Sequence, residues 1–361
     1  MTERLLRFVD ALEPTALVQL GQRFRVAILI LVIALVYLNE VTSRGPDILG
    51  WDHMFASGYA TLAVGIALAQ GLSGRMAQTV ERLMHRGALE GEGSPDLLEV
   101  LQRKAGAWSH RGGLMLAVLL LGLYVWANTA RGPLLSGLLE TVLAVIAGYI
   151  VGRVLGRMVC YGFLGAFLHS KRATVTMQPG HPDGAAGLKP LGDFYFFQAM
   201  LLALPIAFVA VWVMLIPIWS YHDYTHWQGP YLTLLIVGLA IEIGAFVLPM
   251  WTIHQDMVRG KAALQDKADA LGREIVTLRA KLTSTTDAQA QSALNDQVDL
   301  LGKQYEELEH VPTWPVDLST RRRFAASNLA MFLPVVVQTI GATGPWQRLA
   351  DVMERFLAQP S

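Results

Sequence analysis

Residues 231–253 read YLTLLIVGLAIEIGAFVLPMWTI, and the only charged side chain in this run is that of Glu242. A helix needs about 20 mostly apolar residues to cross the hydrocarbon core of a bilayer, so the run predicts a transmembrane helix. The same character extends over the whole chain of 361 residues, of which 53% are hydrophobic and 16% are charged. This composition is too apolar for one soluble domain of that size. We therefore expect a lipid bilayer to surround much of the protein.

Six apolar stretches come close to the length of a transmembrane helix, and they cover residues 26–42, 54–72, 112–130, 134–152, 194–219 and 231–253. Arginine and lysine are concentrated before the first stretch, between the second and third, and after the fourth, whereas each loop on the other side holds at most one. Loops rich in these residues stay in the cytoplasm. The sequence thus predicts an all-α, polytopic protein of the cell inner membrane, with six spans and with both termini in the cytoplasm.

Residues 254–310 change to a charged, Ala- and Gln-rich sequence in which apolar residues recur at alternating steps of four and three. This spacing is typical of a coiled-coil seam, and a turn at residues 283–287 separates two such seams. We expect Asp287 to be the N-cap of the second helix, and the hairpin to project roughly 40 Å at 1.5 Å per residue. It either packs only against itself or contacts another subunit or a cytoplasmic protein. The seam residues are Leu264, Ala268, Leu271, Ile275, Leu278 and Leu282, then Leu294, Val298, Leu301, Tyr305 and Leu308.

Residues 311–361 are predicted to return to the membrane. Trp314 and the arginines at residues 321–323 have the character of interfacial anchors. Residues 324–345 carry no charge but contain polar residues, proline and glycine, which favours a re-entrant or half-inserted segment, because irregular backbone is tolerated inside the protein at membrane depth. The alternative is a seventh span that places the C-terminus outside. An amphipathic terminal helix is predicted from Trp346, Leu349, Met353 and Phe356.

Four charged residues within or beside the predicted spans are candidates for pore lining or transport: Glu242, Glu140, Arg153 and Arg157. A carboxylate near the middle of a span is costly, so Glu242 is a candidate for pore lining or transport. The alternative is a neutral carboxyl group that is hydrogen-bonded at a helix contact. Glu140 lies less deep in the fourth span. Arg153 and Arg157 either extend to the cytoplasmic interface or, if the helix continues, point into the protein, where they pair with Glu242 or attract an anion.

The fourth span also carries Gly148, Gly152 and Gly156 at steps of four. Small residues at this spacing lie on one face of a helix and let another helix approach closely. We therefore expect these three glycines to form a helix-packing stripe.

Residues 181–192 read HPDGAAGLKPLG and join the fourth and fifth spans on the cytoplasmic side; we call them the HPD loop. Many turn-forming residues together with His181, Asp183 and Lys189 predict a tightly folded loop in which Asp183 binds its own backbone. The loop resembles the HPD-(G/R)-A-G-G-L-type loop of a scattered group of uncharacterised bacterial multi-pass membrane proteins, although Ala186 stands where that pattern has glycine. The resemblance implies a bacterial multi-pass protein but no activity. The alternative role is simply to cap the cytoplasmic helix ends.

Several classes of function lack a sequence signal. Lys and Arg together number 29, as do Asp and Glu, so the basic excess that nucleic-acid binding requires is missing. His222 and His226 supply too few ligands for a metal site, and the aromatic residues around them favour interfacial anchoring. Phosphate-binding, metalloprotease and nucleophile-elbow motifs are absent from the sequence. We expect no enzymatic activity, no metal and no cofactor.

Three functions agree with these features. The leading hypothesis is a homo-oligomeric channel that the cytoplasmic hairpin and the HPD loop gate, with an opening lined partly by the fourth and sixth spans. The second is a membrane-anchored sensor or scaffold whose hairpin recruits a cytoplasmic protein. The third is a proton-coupled transporter in which Glu242 is the titrating group.

Overall fold

The structure is a computed structural model that describes residues 34, 38, 41, 42, 53–90, 94–129, 138–170, 173–217, 224 and 228–341. Most of the predicted first span, the loop histidines His222 and His226, and the predicted terminal helix at residues 346–356 lie outside the described residues. The side chain of Glu140 also lies outside them.

The regular structure of the described residues is helical, except for one antiparallel pair of two-residue strands. Three of its helices are long and apolar enough to cross a membrane, namely α4 through Val145–Gly162, α6 and α7. In chain order the elements are α1 His53–Ala69, α2 Leu72–His85, β1 Leu89–Glu90, α3 Ser94–Thr129, α4 Leu138–Gly162, α5 Leu164–Ser170, β2 Thr174–Val175, α6 Lys189–Leu215, α7 Gln228–Ser284, α8 Ala288–Glu309 and α9 Leu318–Gly341.

Helices α3 and α4 pack against each other in antiparallel orientation with their backbones in contact. A methyl group built at Gly156 would overlap the carbonyl oxygen of Trp108, and one at Gly152 would overlap that of Gly112. At Gly148 the same methyl group would lie 2.5 Å from Cδ1 of Leu120. The stripe on α4 thus faces α3. Helix α4 continues past residue 152 to Gly162, so Arg153 and Arg157 lie within it.

Helices α1 and α2 run antiparallel to α6. Gly58 lies against the ring of Phe208 near one end of α6, and Arg75 stacks on Phe197 nearer the other end. Helix α2 presents Leu72, Met76, Val80 and Leu83 to the main apolar core. Its residues Arg75 and Arg82 are exposed on the flank that borders α6. The start of α6 is thereby held beside the end of α2.

Helix α9 runs parallel to α6. Its N-terminal end lies beside Lys189, while Met331, one half of the helix further on, packs with Ala203 and Ile206 of α6. The helix passes Pro334 without a break up to Gly341. Over residues 318–341 the backbone is therefore regular, and the irregular path expected of a re-entrant segment is not seen there.

Helix α7 continues without interruption from the apolar run at residues 231–253 into the charged segment, and α8 folds back along it. We call residues 254–310 the helical arm. Asp287 is the N-cap of α8, as predicted, because its side chain accepts a hydrogen bond from the N–H of Gln289 at 3.2 Å. Every predicted seam residue is buried or half-buried, and Tyr305 lies against Gly272. Knobs-into-holes packing of a coiled coil stays a prediction.

Candidate functional site

Glu242 lies in the apolar half of α7 and is fully buried. Asn328 of α9, which is also buried, donates from Nδ2 to Oε1 of Glu242 at 3.4 Å and to the carbonyl oxygen of Phe324 at 3.0 Å. The rings of Phe246 and Phe324 pack with their centroids 4.2 Å apart, one turn from the pair. The contact between α7 and α9 is therefore a polar pair enclosed by apolar side chains.

Two oxygen atoms of this pair have no hydrogen-bond partner among the described residues: Oε2 of Glu242 and Oδ1 of Asn328. Because the carbonyl oxygen of Phe324 can only accept, it fixes the orientation of the Asn328 amide. A carboxylate oxygen and an amide oxygen both accept and cannot bond to each other, whereas a protonated carboxyl group is a donor. One proton on Oε2 would supply the donor that Oδ1 lacks. The two oxygens thus leave hydrogen-bonding capacity unused at the α7–α9 contact.

The sequence did not identify Asn328 as a partner of Glu242. The sequence feature that could have pointed to Asn328 is an amide side chain in an uncharged stretch. The two residues lie 86 positions apart, so no local pattern connects them. The predicted alternative partners lie elsewhere: Nε of Arg153 donates to Oγ of Ser109 at 3.3 Å, between α3 and α4. Arg157 is half-buried one turn further along α4. The hydrogen bond of Glu242 in the structure goes to Asn328 and to neither arginine.

Asp183 is the centre of the HPD loop. Its Oδ1 accepts hydrogen bonds from the N–H groups of Ala185 and Gly187, each at 3.0 Å, and its Oδ2 accepts one from the N–H of Lys189 at 3.4 Å. Arg86, which follows α2, donates to Oδ2 at 2.8 Å. The carboxylate therefore lies at the N-terminus of α6, where the helix dipole favours a negative charge, and also binds the end of α2.

Burial opposes the ionisation of Asp183, but the hydrogen bonds from the Gly187 and Ala185 N–H groups and the neighbouring charge of His181 outweigh it, so the pKa of this carboxyl group is lowered from its ordinary value. Nδ1 of His181 lies 3.1 Å from Oδ1 of Asp183. The Asp183 side chain is therefore a carboxylate at neutral pH.

The HPD loop makes tight turns that need left-handed backbone. Ala186 has a φ of 52°, although an L-residue pays roughly 1–2 kcal/mol in this region. The glycines with positive φ in the loop region are Gly180, Gly184 and Gly187.

Lys189, the first residue of α6, connects the HPD loop to the start of α9. Its Nζ donates to Oδ2 of Asp317 at 3.1 Å. Asp317 also accepts hydrogen bonds from Oγ of Ser319 at 2.6 Å and from the N–H of Thr320 at 3.2 Å. Desolvation opposes its ionisation, but the bonds from Ser319, Thr320 and Lys189 lower the pKa of Asp317 well below its ordinary value. The loop residues His181, Asp183 and Lys189 are thus brought together around the ends of α2, α6 and α9.

Residues 311–317, which we call the junction segment, join the helical arm to α9. His254 of α7 lies with Nδ1 2.6 Å from the carbonyl oxygen of Thr313, and its ring stacks on Trp314 with centroids 4.3 Å apart. Nζ of Lys261 donates to the carbonyl oxygen of Val311 at 2.9 Å. The junction segment is therefore attached to α7 at two points, through His254 and through Lys261.

The region before and within the HPD loop contacts the base of the arm. The end of the Met177 side chain lies beside Gly260 of α7, and Gly180 lies beside the carboxyl group of Glu307 on α8. Gly192, in the first turn of α6, is in contact with the carbonyl oxygen of Pro315. The loop thus lies where the arm, α6 and the junction segment meet.

In the part of the chain that the structure describes, no group of three or more His, Cys, Asp and Glu side chains is arranged to hold a metal ion. The chemistry that the described site offers is hydrogen bonding at the Glu242–Asn328 pair, together with charge pairing at the HPD loop. No protein-family model matches the sequence, and no curated protein or solved structure is significantly similar to the chain.

Proposed function

We propose that this protein is an inner-membrane sensor or transmitter that couples its helical arm to the buried contact between α7 and α9. The observation that carries the proposal is that α7 is one helix of 57 residues. It holds Glu242 in its apolar half and the first seam of the arm in its charged half. A continuous helix passes a displacement of one end to the other.

The attachment of the arm supports this coupling. The chain leaves the arm through the junction segment and reaches Asp317, directly before α9, which Lys189 fixes to α6. Trp314 and Val311 are held to α7 through His254 and Lys261. Docking of a cytoplasmic protein, or of a second copy of this chain, on the arm would therefore shift α7 relative to α9. This shift would stretch the Glu242–Asn328 hydrogen bond.

The membrane topology is part of the proposal. We keep the six predicted spans and the cytoplasmic N-terminus and add α9 to them, since α3 and α4 present exposed apolar side chains such as Val118, Leu119 and Ile146 that lipid or another subunit would cover. The 24 residues of α9 extend about 36 Å at 1.5 Å per residue, parallel to α6. This favours α9 as a seventh crossing over the re-entrant alternative, and it puts the C-terminus outside.

The gated channel is less well supported by the geometry of one chain. The opening that the fourth and sixth spans line is a cleft of about 650 Å³ between α4, α6 and α7. Its walls are apolar side chains such as Met158 and Ile241, with Gln198 as the polar exception. Ion pathways are lined by carbonyl oxygens or charged side chains, so this cleft favours lipid contact over conduction.

The coupling between the arm and α9 is tested by unfolding the arm and measuring amide hydrogen exchange in α9. Leu271→Asp places a carboxylate at a seam position, where it loses its apolar surroundings, and this should cost about 3 kcal/mol. We expect faster proteolysis of the arm together with faster amide hydrogen exchange in residues 318–341, measured on the full chain in lipid nanodiscs.

The matched control is Val276→Asp, because Val276 lies on the same helix but is 67% exposed. This variant should leave both proteolysis and exchange as in the unmodified protein. Transmission is refuted if Leu271→Asp opens the arm to proteases while exchange in α9 stays unchanged.

A proton-linked transport role is the second candidate, and the two unpartnered oxygens of the Glu242–Asn328 pair favour it. Glu242→Gln supplies a permanent N–H donor to Oδ1 of Asn328 and imitates the protonated state. If the protein is a transporter, the Glu242→Gln variant should fold normally, but its ion flux in liposomes should be lost or independent of pH. If liposomes with the unmodified protein show no flux above empty liposomes at any pH, this candidate is abandoned and the sensor remains.

A further inference from the structure

A polar cavity of about 560 Å³ lies between α2 and the first turns of α6, apart from the Glu242–Asn328 pair. Arg75, Gln78 and Arg82 of α2 form one wall, and Asp193 and Phe197 of α6 contribute to the other. Since α6 is a candidate spanning helix that begins at Lys189, the cavity is located at one end of that helix. In the proposed topology this end faces the cytoplasm.

Arg75 and Arg82 are seven residues apart and so lie on the same face of α2, about 10 Å apart along its axis at 1.5 Å per residue. Neither guanidinium group forms an ion pair with any residue of the described part of the chain. The next arginine, Arg86, differs because it binds the carboxylate of Asp183. Two positive charges that face one cavity without a carboxylate partner repel each other, and a bound anion would remove that repulsion.

Phe197 orients one of these groups. The guanidinium carbon of Arg75 lies 3.9 Å from the centroid of the Phe197 ring. Stacking on an aromatic face holds the planar group while its N–H edges remain available for hydrogen bonds. Gln78, one turn from Arg75 on the cavity wall, adds an amide donor. The donors are therefore of the kind that bind a tetrahedral oxyanion.

Asp193 is the acidic residue of the cavity. Lys189 and Arg323 attract its carboxylate, and Asp317 repels it. The carboxylate thus belongs to the charge group around the start of α9, and it leaves Arg75 and Arg82 available to a ligand.

We propose that this cavity binds a phosphate group. The arginine fork binds phosphate oxygens in pairs, and basic pockets at the cytoplasmic ends of membrane helices bind lipid headgroups. The phosphate belongs either to the headgroup of an anionic phospholipid or to a soluble phosphate ester. Binding of a lipid headgroup rests on the proposed topology, because the cavity must then lie at the membrane surface. Binding of a soluble ester does not need this, and neither case depends on coupling between the arm and α9.

The test is ligand binding to the purified full chain. Retention of dioleoylphosphatidylglycerol against dioleoylphosphatidylcholine is measured by native mass spectrometry, and binding of glycerol 3-phosphate by calorimetry. The variant with both Arg75→Gln and Arg82→Gln should bind the phosphate probe at least about tenfold more weakly, because two charge-assisted hydrogen bonds are lost. Arg103→Gln is the control, since the side chain of Arg103 is 74% exposed and pairs with Glu99 on α3.

The two probes identify the source. Preference for phosphatidylglycerol indicates a lipid headgroup, and binding of glycerol 3-phosphate alone indicates a soluble ester. If the double glutamine variant does not fold, Arg75→Lys with Arg82→Lys, which keeps both charges but loses the planar fork, should still weaken binding. The proposal is overturned if the unmodified protein binds neither probe selectively, or if a folded arginine variant binds as well as the Arg103→Gln control.

Discussion

At the scale of single residues, Asp183 shows how far local sequence determines a site. Its bonds to the N–H groups of Ala185 and Gly187 follow from the turn-forming residues around it, and the sequence predicted them. Its bond to Arg86 spans 97 positions and depends on α2 lying antiparallel to α6. For the same reason Asn328 was not predicted as the partner of Glu242. Local patterns thus identified the polar groups but not the pairs that they form.

The charge of Asp183 gives a prediction for stability against pH. Asp183→Asn loses the charge pair with Arg86 and should lower stability at pH 7 by about 2 kcal/mol. Because the folded protein lowers the pKa of Asp183 below its ordinary value of 3.8, the stabilisation is complete above that pH and is lost as the pH falls below it. The difference in melting temperature between the two proteins should therefore shrink in acid.

Asp266→Asn serves as the comparison, since Asp266 is exposed on the arm. It should melt like the unmodified protein at every pH. An Asp183→Asn deficit that persists undiminished in acid would show that its cause is steric and not the lost charge.

At the scale of elements, the sequence likewise identified the packing face of α4 but not the helix that packs against it. Gly148, Gly152 and Gly156 were expected to allow close approach because small residues at steps of four share one face. The sequence did not identify α3 as the partner, or Gly112 as the opposing glycine, because either of two neighbouring helices can meet such a stripe.

Gly156→Ala tests this contact, because the added methyl group overlaps the carbonyl oxygen of Trp108. We expect α3 and α4 to be pushed apart at a cost of about 1–3 kcal/mol, seen as a lower melting temperature in detergent. Gly106→Ala is the matched change: no atom of another group lies within 4 Å of its added methyl, and it should be neutral or stabilising by up to about 1 kcal/mol. Equal melting temperatures for both variants would contradict the backbone contact.

At the scale of the whole molecule, composition correctly gave an all-helical protein with long apolar helices that suit a membrane. The number of spans stays a prediction, with three candidate helices in the described residues and most of the first stretch outside them. The position of α9 beside α6 could not be read from the sequence, because the ion pair that fixes it joins Lys189 to Asp317 across 128 positions.

Topology reporters provide the check at this scale. Fusions after Ser94 and within residues 283–287 should read cytoplasmic, because both follow arginine-rich span ends. A fusion after Gly341 should read periplasmic if α9 crosses the membrane. A periplasmic signal at either of the first two positions would contradict the six-span arrangement, and a cytoplasmic signal after Gly341 would return α9 to the re-entrant alternative.

Pro249 of α7 gives the long helix a mechanical property. Proline removes one backbone hydrogen bond of a helix, so bending is easiest at this point. The tip of the arm lies about 50 Å to one side of Pro249 and Glu242 about 10 Å to the other, at 1.5 Å per residue. A lever needs a stiff helix at its pivot, and the burial of Pro249 among the packed helices limits bending there; α7 then acts as a lever with a ratio of about five to one about Pro249. A tip movement of about 5 Å becomes about 1 Å at Glu242, which is enough to break a hydrogen bond that is already 3.4 Å long.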